Sequence, residues 1–411
     1  MLFLATVLNY LDRYALGFLE PDLQKQFHWT PQEFGWVLFA FQATYAFCNL
    51  PWGALTDRLG LRTGFASAVV LWSLAAMGHA FARSAAGFGF WRALLGIGEA
   101  ANFPASVKAI AEWFPQRERA IATGVLNAGA NVGAMVAPGI LFVLVHRFGW
   151  QAAFLITGAL GFFWVAAWWV LYRHPAEHPK LTEAERAWIL QDGPHRDDAP
   201  RYSWVRLARE RRTWAFIFGK MFSDPIWSFY LFWLPKYLHD EHHVPDGTRA
   251  LIITGIYLAA DFGSLGGGWM SSYLIHHGWP INRARKTTMA IAAVLIPLVA
   301  INALNPGVWV AVLLSGLVVA MHQWWSANLF TTTSDMFPRE AIGTVVGMGQ
   351  VGGSGMAMIV QPLIGFCVER FHSYAPIFLV AACAYPVALL LLHTLAPRLD
   401  RAPLEPVPFA R

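Results

Sequence analysis

FPQRERAIATGVLNAGANVGAM, residues 114–135, is answered further along the chain by FPREAIGTVVGMGQVGGSGMAM, residues 337–358. Phe114-Pro115 returns as Phe337-Pro338, Gly124 as Gly347, Asn127 as Gln350, Gly129 as Gly352 and Met135 as Met358, each pair 223 residues apart. Both copies open on a helix-breaking Phe-Pro and run into an apolar segment, and about 20 such residues suffice to cross a bilayer. An ungapped match over these framework positions means that the two halves of the chain follow one plan.

The composition says which plan. Of 411 residues, 56% are hydrophobic and only 13% charged, with a mean hydropathy of +0.42. A soluble domain carries about 25% charged residues, so this chain holds more apolar side chain than one or two globular cores could bury. Disordered, fibrous and disulfide-rich classes are excluded. The apolar residues form blocks of about 18 to 25, the length of a spanning helix and not the ten-residue alternation of an outer-membrane barrel. The fold expected is an all-α membrane protein of twelve transmembrane helices. They are placed at roughly 1–22, 31–55, 63–83, 86–108, 118–146, 149–172, 212–238, 249–276, 286–303, 306–333, 341–369 and 373–396. Residues 1–172 make one six-helix bundle and 212–397 the other, with 173–211 as a linker and 398–411 as a tail. The linker mixes Glu, Arg, Pro and Asp and holds one short helix, opened by a capping box at Thr182 and Glu185. Six spans repeated in one orientation give a parallel repeat about the membrane normal, as in two-bundle transporters with a site near the midplane.

Lys and Arg set the orientation. Twenty-one of the 30 fall on the side of the termini and linker, six on the other, and Arg13, Arg92 and Lys220 lie within spans. Both termini are therefore expected in the cytoplasm, which also explains a pI near 9.2 without nucleic acid as a partner. Only eleven residues precede Asp12, so the first span is short on its cytoplasmic side, and no basic segment or small-residue cleavage site there suggests a signal peptide. Cys48, Cys367 and Cys383 all lie in apolar blocks, as packing residues do.

The charges inside spans carry the functional argument. Asp12, Arg13, Arg92, Glu99, Lys220, Asp224 and Asp261 sit at membrane depth. At about 2.5–3.5 kcal/mol each, they would together cost on the order of 20 kcal/mol if unpaired, so they must compensate one another or face water. Arg92 and Glu99 are two helical turns apart, about 10 Å along one face. Asp12 and Arg13 diverge around their helix, so one can meet a neighbouring span while the other enters a cavity. Two cations and two carboxylates suit a site that exchanges partners: ionised, the acids neutralise the arginines; protonated, they free the guanidiniums to grip an organic carboxylate. The plainer alternative is an ion-pair cluster that never titrates. The repeat carries Glu99 to His322, which with Gln323 and the neighbouring tryptophans suits sugar hydroxyls and a pyranose face, or else is a packed histidine. Lys220 and Asp224, an i,i+4 pair before Pro225, form either a gate or a neutral structural pair. Asp261 reads as an inter-helix hydrogen-bonding residue.

Gly53, Asp57-Arg58, Gly60 and Arg62 resemble the loop between spans 2 and 3 of the major facilitator superfamily, lacking only its last basic residue, where Thr63 stands. Asn9-Tyr10-Leu11-Asp12-Arg13 and Arg92, Gly96, Glu99-Ala100 are similar to the anion:cation symporter family within it. Ala111 to Pro115, Arg119, Gly124 and Asn127 resemble its bacterial sugar-acid transporters, and Lys220, Asp224-Pro225, Asp261, Gly263 and His322-Gln323 its hexuronate branch. The resemblance implies proton coupling at Asp12 and Glu99, and substrate binding by Arg13, Arg92, Tyr10 and Tyr45. Tyr230, Trp233, His322, Gln323 and Asn328 are expected to bind hydroxyls, and Asp57, Arg58 and Arg62 to latch the bundles or simply anchor the topology. Ala130, where galactonate transporters carry glutamine on span 5, argues against galactonate.

Two patterns are set aside. Gly347, Gly349 and Gly352 spell a dinucleotide fingerprint, but no strand precedes them and close helix packing explains them. His239 to His243 has metal-like composition without ligand spacing and reads as a solvated loop. No catalytic triad, Walker or zinc pattern occurs, so no enzyme activity, cofactor or metal is expected. The sum is a monomeric multi-pass protein of the bacterial inner membrane that imports a sugar acid, such as glucuronate or galacturonate, with protons. The alternatives are another organic anion (aldarate, aldonate or aromatic acid), sodium coupling, or, in a different class, a polytopic membrane enzyme with its charges at one membrane face.

Overall fold

A computed structural model describes residues 1–115, 119–175, 178–189 and 202–402. The described elements are all helical. In chain order they are α1 (Leu2–Phe27), α2 (Pro31–Leu59), α3 (Leu61–Gly78), α4 (Ala85–Glu99), α5 (Asn102–Trp113) and α6 (Arg119–Leu171). Then come α7 (Glu183–Ile189), α8 (Trp204–Arg209), α9 (Arg211–Phe232), α10 (Leu234–Asp240) and α11 (Asp246–His276). The last are α12 (Ile281–Leu295), α13 (Val308–Met336), α14 (Arg339–Phe371) and α15 (Ala375–Leu395). Seven stretches are long and apolar enough to cross a membrane by composition alone. α1 and α9 fall short of that measure, and both carry charges along their length: Asp12, Arg13 and Glu20 on one, Lys220 and Asp224 on the other.

Helix breaks turn these elements into twelve passages. α6 is two passages that meet at Gly149, whose φ of 84° lies in the region that only glycine enters at no steric penalty. α12 continues as a tight 3-10 turn through Ile296–Leu304, and α9 and α10 form one passage interrupted at Trp233. Span 4, expected as a single helix, breaks after Glu99. The Ala101 amide bonds back only three residues, to the Gly98 carbonyl at 3.3 Å. The Ile97 carbonyl that this releases accepts instead from the Trp52 indole, as a buried carbonyl must find some donor. Gly96 and Gly98, poor helix formers, weaken the segment where the turn falls.

The chain forms two compact units, Met1–Trp29 with Trp36–Asp197, and Thr30–Gly35 with Asp198–Arg411. In the first, α1 packs along α6, and α3 packs on α6 and α4. In the second, α11 packs on α13 and α9 on α14 and α15. Gly349 and Gly352 lie in the α14–α9 contact, where a Cβ on Gly352 would stand 2.8 Å from Ile217; these glycines serve helix packing. The linker helix α7 begins with the expected capping box: the Glu185 amide donates to Thr182 Oγ1 at 3.2 Å and the Thr182 amide to Glu185 Oε2 at 2.9 Å.

Two of the six cations counted on the far side, Lys236 and Arg249 at the ends of their spans, are buried. Lys236 pairs with Asp240 at 3.1 Å and Arg249 with Asp246 at 2.8 Å, each within its own helix. The helices run past the expected span ends, and turns at i,i+4 and i,i+3 bring each cation onto an acid. Asp240, outside the span, also meets His239 at 3.0 Å and the Tyr374 hydroxyl at 3.3 Å. Burial alone would raise its carboxyl, but His239 and Lys236 hold it below the ordinary value.

Candidate functional site

Asp12 and Arg13 are consecutive on α1 and do diverge. Arg13 turns toward α2 and α4. Its Nε donates to Glu99 Oε2 at 2.9 Å, Nη2 lies 2.9 Å from the same oxygen, and Nη2 also reaches Asn9 Oδ1 at 3.1 Å. Three aromatic rings wall the guanidinium: Tyr45 at 4.7 Å, Tyr10 at 4.9 Å and Phe41 at 5.2 Å from its carbon. Each such contact contributes about 0.5–2 kcal/mol, more as water is excluded. Tyr10 and Tyr45 are partly exposed, so the cage has a wet rim, while Glu99 behind it is fully buried.

Asp12 faces the other way, against Thr157 of α6, without reaching hydrogen-bond geometry with either oxygen. Arg92, although it shares a helix with Glu99, does not bond to it. Its Nη2 donates to the Arg13 backbone carbonyl at 3.1 Å, while Nε and Nη1 are buried without acceptors. The guanidinium also lies 5.6 Å from the Phe41 ring. α4 reaches α2 this closely because of Gly96, where a Cβ would collide with Thr44 and the Phe41 carbonyl. Charged groups of both signs are thus concentrated in one unit, with one carboxylate engaged, one unengaged, and two guanidinium donors in reserve.

The second unit holds a separate polar cluster on α9, α13 and α15. Lys220 pairs with Asp224 at 3.0 Å and lies 4.7 Å over the Phe330 ring. Gly353 of α14 makes room for it, since a Cβ there would collide with the Asp224 carboxylate. His322 bonds through Nδ1 to the Tyr385 hydroxyl at 2.6 Å, and its ring stacks on Trp227 at 5.0 Å and 18°. Tyr385 and Trp227 belong to this cluster and were not singled out from the sequence; a lone tyrosine in an apolar span gives no local sign of the histidine it meets 63 residues away. Glu20, fully buried on α1 and receiving the Trp29 indole at 3.3 Å, was likewise missed, because it lies near a span end.

Two expected hydroxyl ligands, Trp233 and Asn328, make hydrogen bonds within the second unit. The Trp233 indole donates to Gln361 at 2.8 Å and its ring packs edge-on to Phe34 at 4.9 Å, leaving no donor for a ligand. Asn328 spends its amide nitrogen on the Gly267 and Trp324 carbonyls at 2.9 and 3.0 Å, tying α13 to α11. Tyr230 is buried with its hydroxyl facing Ser315, and Gln323 is half-buried. Of the expected gate, Arg62 anchors α3 to the end of α6, donating to the Trp169 carbonyl and standing 4.9 Å over its ring. Arg58 is exposed, and the Asp57 side chain lies outside the described residues. In the His239–His243 stretch, His239 meets Asp240 and His242 meets the Tyr237 hydroxyl at 3.0 Å. No cluster of metal-ligating side chains occurs among the described residues.

Twelve helical passages with buried charges of both signs among them have the plan of a multi-pass membrane transporter. The chain belongs to the Major Facilitator Superfamily, whose profile matches residues 2–361. It is 30% identical over 384 residues to the hexuronate transporter of Escherichia coli K12, covering 92% of this chain and 88% of that one. It is 34% identical over 298 residues to the galacturonate transporter of Dickeya chrysanthemi, covering 71% and 86%. Among solved structures, a D-xylose-proton symporter superposes with a TM-score of 0.77 at 15% identity over 97% of both chains, a likeness of fold.

Proposed function

We propose that this protein imports a sugar acid, foremost a hexuronate, by proton symport and alternating access across the bacterial inner membrane. The observation that carries the reading is the Arg13–Glu99 contact. Glu99 presents a carboxylate to a caged guanidinium in the place where a substrate carboxylate would bind. Protonation of Glu99 removes that competitor, and Arg13, with the two spare donors of Arg92, then takes the anion. Asp12 supplies a second protonatable group on the same helix. Tyr10 and Tyr45 at the rim, and the His322–Tyr385 pair with Gln323 in the second unit, are suited to hydroxyls. The relatives' substrates, hexuronate and galacturonate, support the choice of anion.

The linkage is physically economical. Two cations inside a membrane need counterions at all times, and exchange of an internal carboxylate for a substrate carboxylate keeps that balance through the cycle. The test is uptake of labelled glucuronate and galacturonate into proteoliposomes with and without an inward proton gradient. Accumulation that follows the gradient supports the reading; equal uptake without it, or dependence on sodium, refutes the coupling. A second reading, a dianionic aldarate, is favoured by one observation: Lys220 offers a further buried cation once Asp224 is neutralised. A melting-shift screen with both sugar-acid classes separates the two, since a ligand that binds only the native state raises its stability.

A further inference from the structure

Among the described residues, His79 is the one fully buried histidine of the first unit, and no role described above uses it. It follows α3 at the start of a short 3-10 turn, with its ring stacked on Phe154 at 5.0 Å and 15° and set beside Phe88 at 6.0 Å. Nδ1 lies 2.8 Å from the Ala75 carbonyl. A carbonyl only accepts, so Nδ1 carries a proton, and in the neutral ring Nε2 is then a lone-pair acceptor. That Nε2 is buried with no partner.

The complementary groups are close by. Phe88 and Arg92 are four residues apart on α4 and share a face, so the arginine stands one turn deeper than the ring that touches His79. Arg92 is the charged group that acts on His79, and two of its guanidinium nitrogens, Nε and Nη1, are buried without acceptors. The other buried charged groups on the helices around it are Asp12, Arg13 and Glu20 on α1 and Glu99 on α4; the α6 side contributes Phe154, which is uncharged. Phe154 and Phe88 wall the imidazole with apolar surface.

We infer that His79 is a positioning residue for Arg92: a neutral imidazole of fixed tautomer that accepts a guanidinium N–H, directly or through one water, and aims the arginine at the substrate anion. It does not carry the transported proton. The inference rests on the reading of Arg92 as an anion ligand, and the test is arranged to separate the two.

His79→Phe keeps the ring and removes the acceptor, whereas His79→Gln restores an acceptor close to the Nε2 position. The KM for glucuronate in proteoliposomes is expected to rise roughly tenfold or more in His79→Phe, the worth of one charge-assisted hydrogen bond. Maximal rate should change little, and His79→Gln should return KM to near its original value with an unaltered pH profile. Imidazole 15N spectra of the detergent-solubilised protein, with the His79 signals identified by their loss in His79→Gln, are expected to show a neutral ring protonated at Nδ1 from pH 5 to 8, and to shift in Arg92→Gln. Equal KM defects in Phe and Gln variants, a pH profile moved by His79→Gln, or a ring that protonates in that range would overturn the inference. Ring signals unmoved by Arg92→Gln would also overturn it, even if His79→Phe failed to fold. Shifted signals with unchanged KM would leave the pair standing and remove Arg92 as the anion ligand, a failure of the functional reading alone.

Discussion

Replacement of Glu99 by glutamine separates anion binding from proton coupling, and the geometry gives the size of the effect. In the native protein one carboxylate oxygen takes two guanidinium contacts from Arg13 at 2.9 Å. A hydrogen bond to a charged group is worth about 1.5–3 kcal/mol net, and an incoming carboxylate must displace it. Glutamine keeps the shape and one acceptor but removes the charge. The anion then meets an uncontested cation, so Kd is expected to fall by about ten- to a hundredfold at a pH where Glu99 is ionised, at about 1.4 kcal/mol per decade. The free protein moves the other way. Stranding a buried charge costs about 3–5 kcal/mol, partly relieved here by the amide oxygen and by three aromatic walls. Glu99→Gln should therefore melt earlier without ligand and gain more from ligand than the native protein does. Titration calorimetry with glucuronate across pH checks the sign: native binding weakens as pH rises, because the deprotonated carboxylate competes, whereas the variant's binding stays flatter. In proteoliposomes the variant should exchange labelled for unlabelled substrate but not concentrate it. Native-like affinity with a native-like pH dependence, or uphill proton-driven uptake by Glu99→Gln, refutes the reasoning.

Three further outcomes are expected. Tyr385→Phe removes the hydroxyl 2.6 Å from His322 and should raise KM for a hydroxylated anion severalfold while leaving an unsubstituted carboxylate unaffected, measured by competition for uptake. Gly96→Leu drives a side chain into Thr44 and the Phe41 carbonyl; overpacking of this kind costs about 1–3 kcal/mol or more, so the variant should melt earlier and lose uptake, whereas Gly89→Ala, with open space around it, should do neither. Thr182→Ala removes the cap of the linker helix. The Thr182 amide and hydroxyl hold the Glu185 carboxyl below its ordinary value, so the native cap is complete above the unfolded pKa of about 4.3 and is lost as pH falls through the lower folded value. Carboxyl NMR should show the Glu185 titration moving part of the way back toward the ordinary range in the variant, because the amide of residue 182 still donates, with transport unchanged.

The architecture was legible because hydrocarbon is an unforgiving solvent. Apolar length marks the passages, polar stretches mark what joins them, and the repeat at Phe114 and Phe337 divides the chain in two. The charges of the first unit were legible for the same reason: Asp12, Arg13, Arg92 and Glu99 are too expensive at that depth to be incidental. The pairing was not legible. Seven-residue spacing put Arg92 and Glu99 on one face, yet Glu99 went to Arg13, 86 residues away, and Arg92 to the Arg13 carbonyl, because partners on another helix leave no mark in local spacing. The partners of Trp233 and Asn328 were not legible either, because an indole or amide in a span looks the same in sequence whether its donor meets solvent or, as here, Gln361 and the Gly267 carbonyl. His79 and Glu20 escaped because near a helix end a titratable residue is ordinarily solvated; only the ring stack on Phe154 and the Trp29 indole show otherwise.

The two units share a scaffold but not a chemistry, and the difference follows from what an ion costs in a membrane. The 223-residue shift carries Glu99 to His322 and Arg92 to Ser315. In the second unit those positions meet tyrosines: His322 bonds to Tyr385, and Ser315 faces Tyr230. Neutral hydrogen-bonding groups thus stand where the first unit has a carboxylate and a guanidinium. A second set of ions would bring its own desolvation penalty, about 2.5–3.5 kcal/mol per group, and a monoanion has only one carboxylate with which to neutralise a freed cation. A duplicated centre would leave the second cation stranded whenever the acids were protonated. On the proposed mechanism, confining charge exchange to one repeat, and giving the other hydroxyls, an imidazole and a closed Lys220–Asp224 pair, would keep the internal balance near neutrality whether or not an anion is held. Diversification of substrate within such a scaffold is then expected to fall on the second repeat, where a hydrogen-bonding partner can change without stranding an ion.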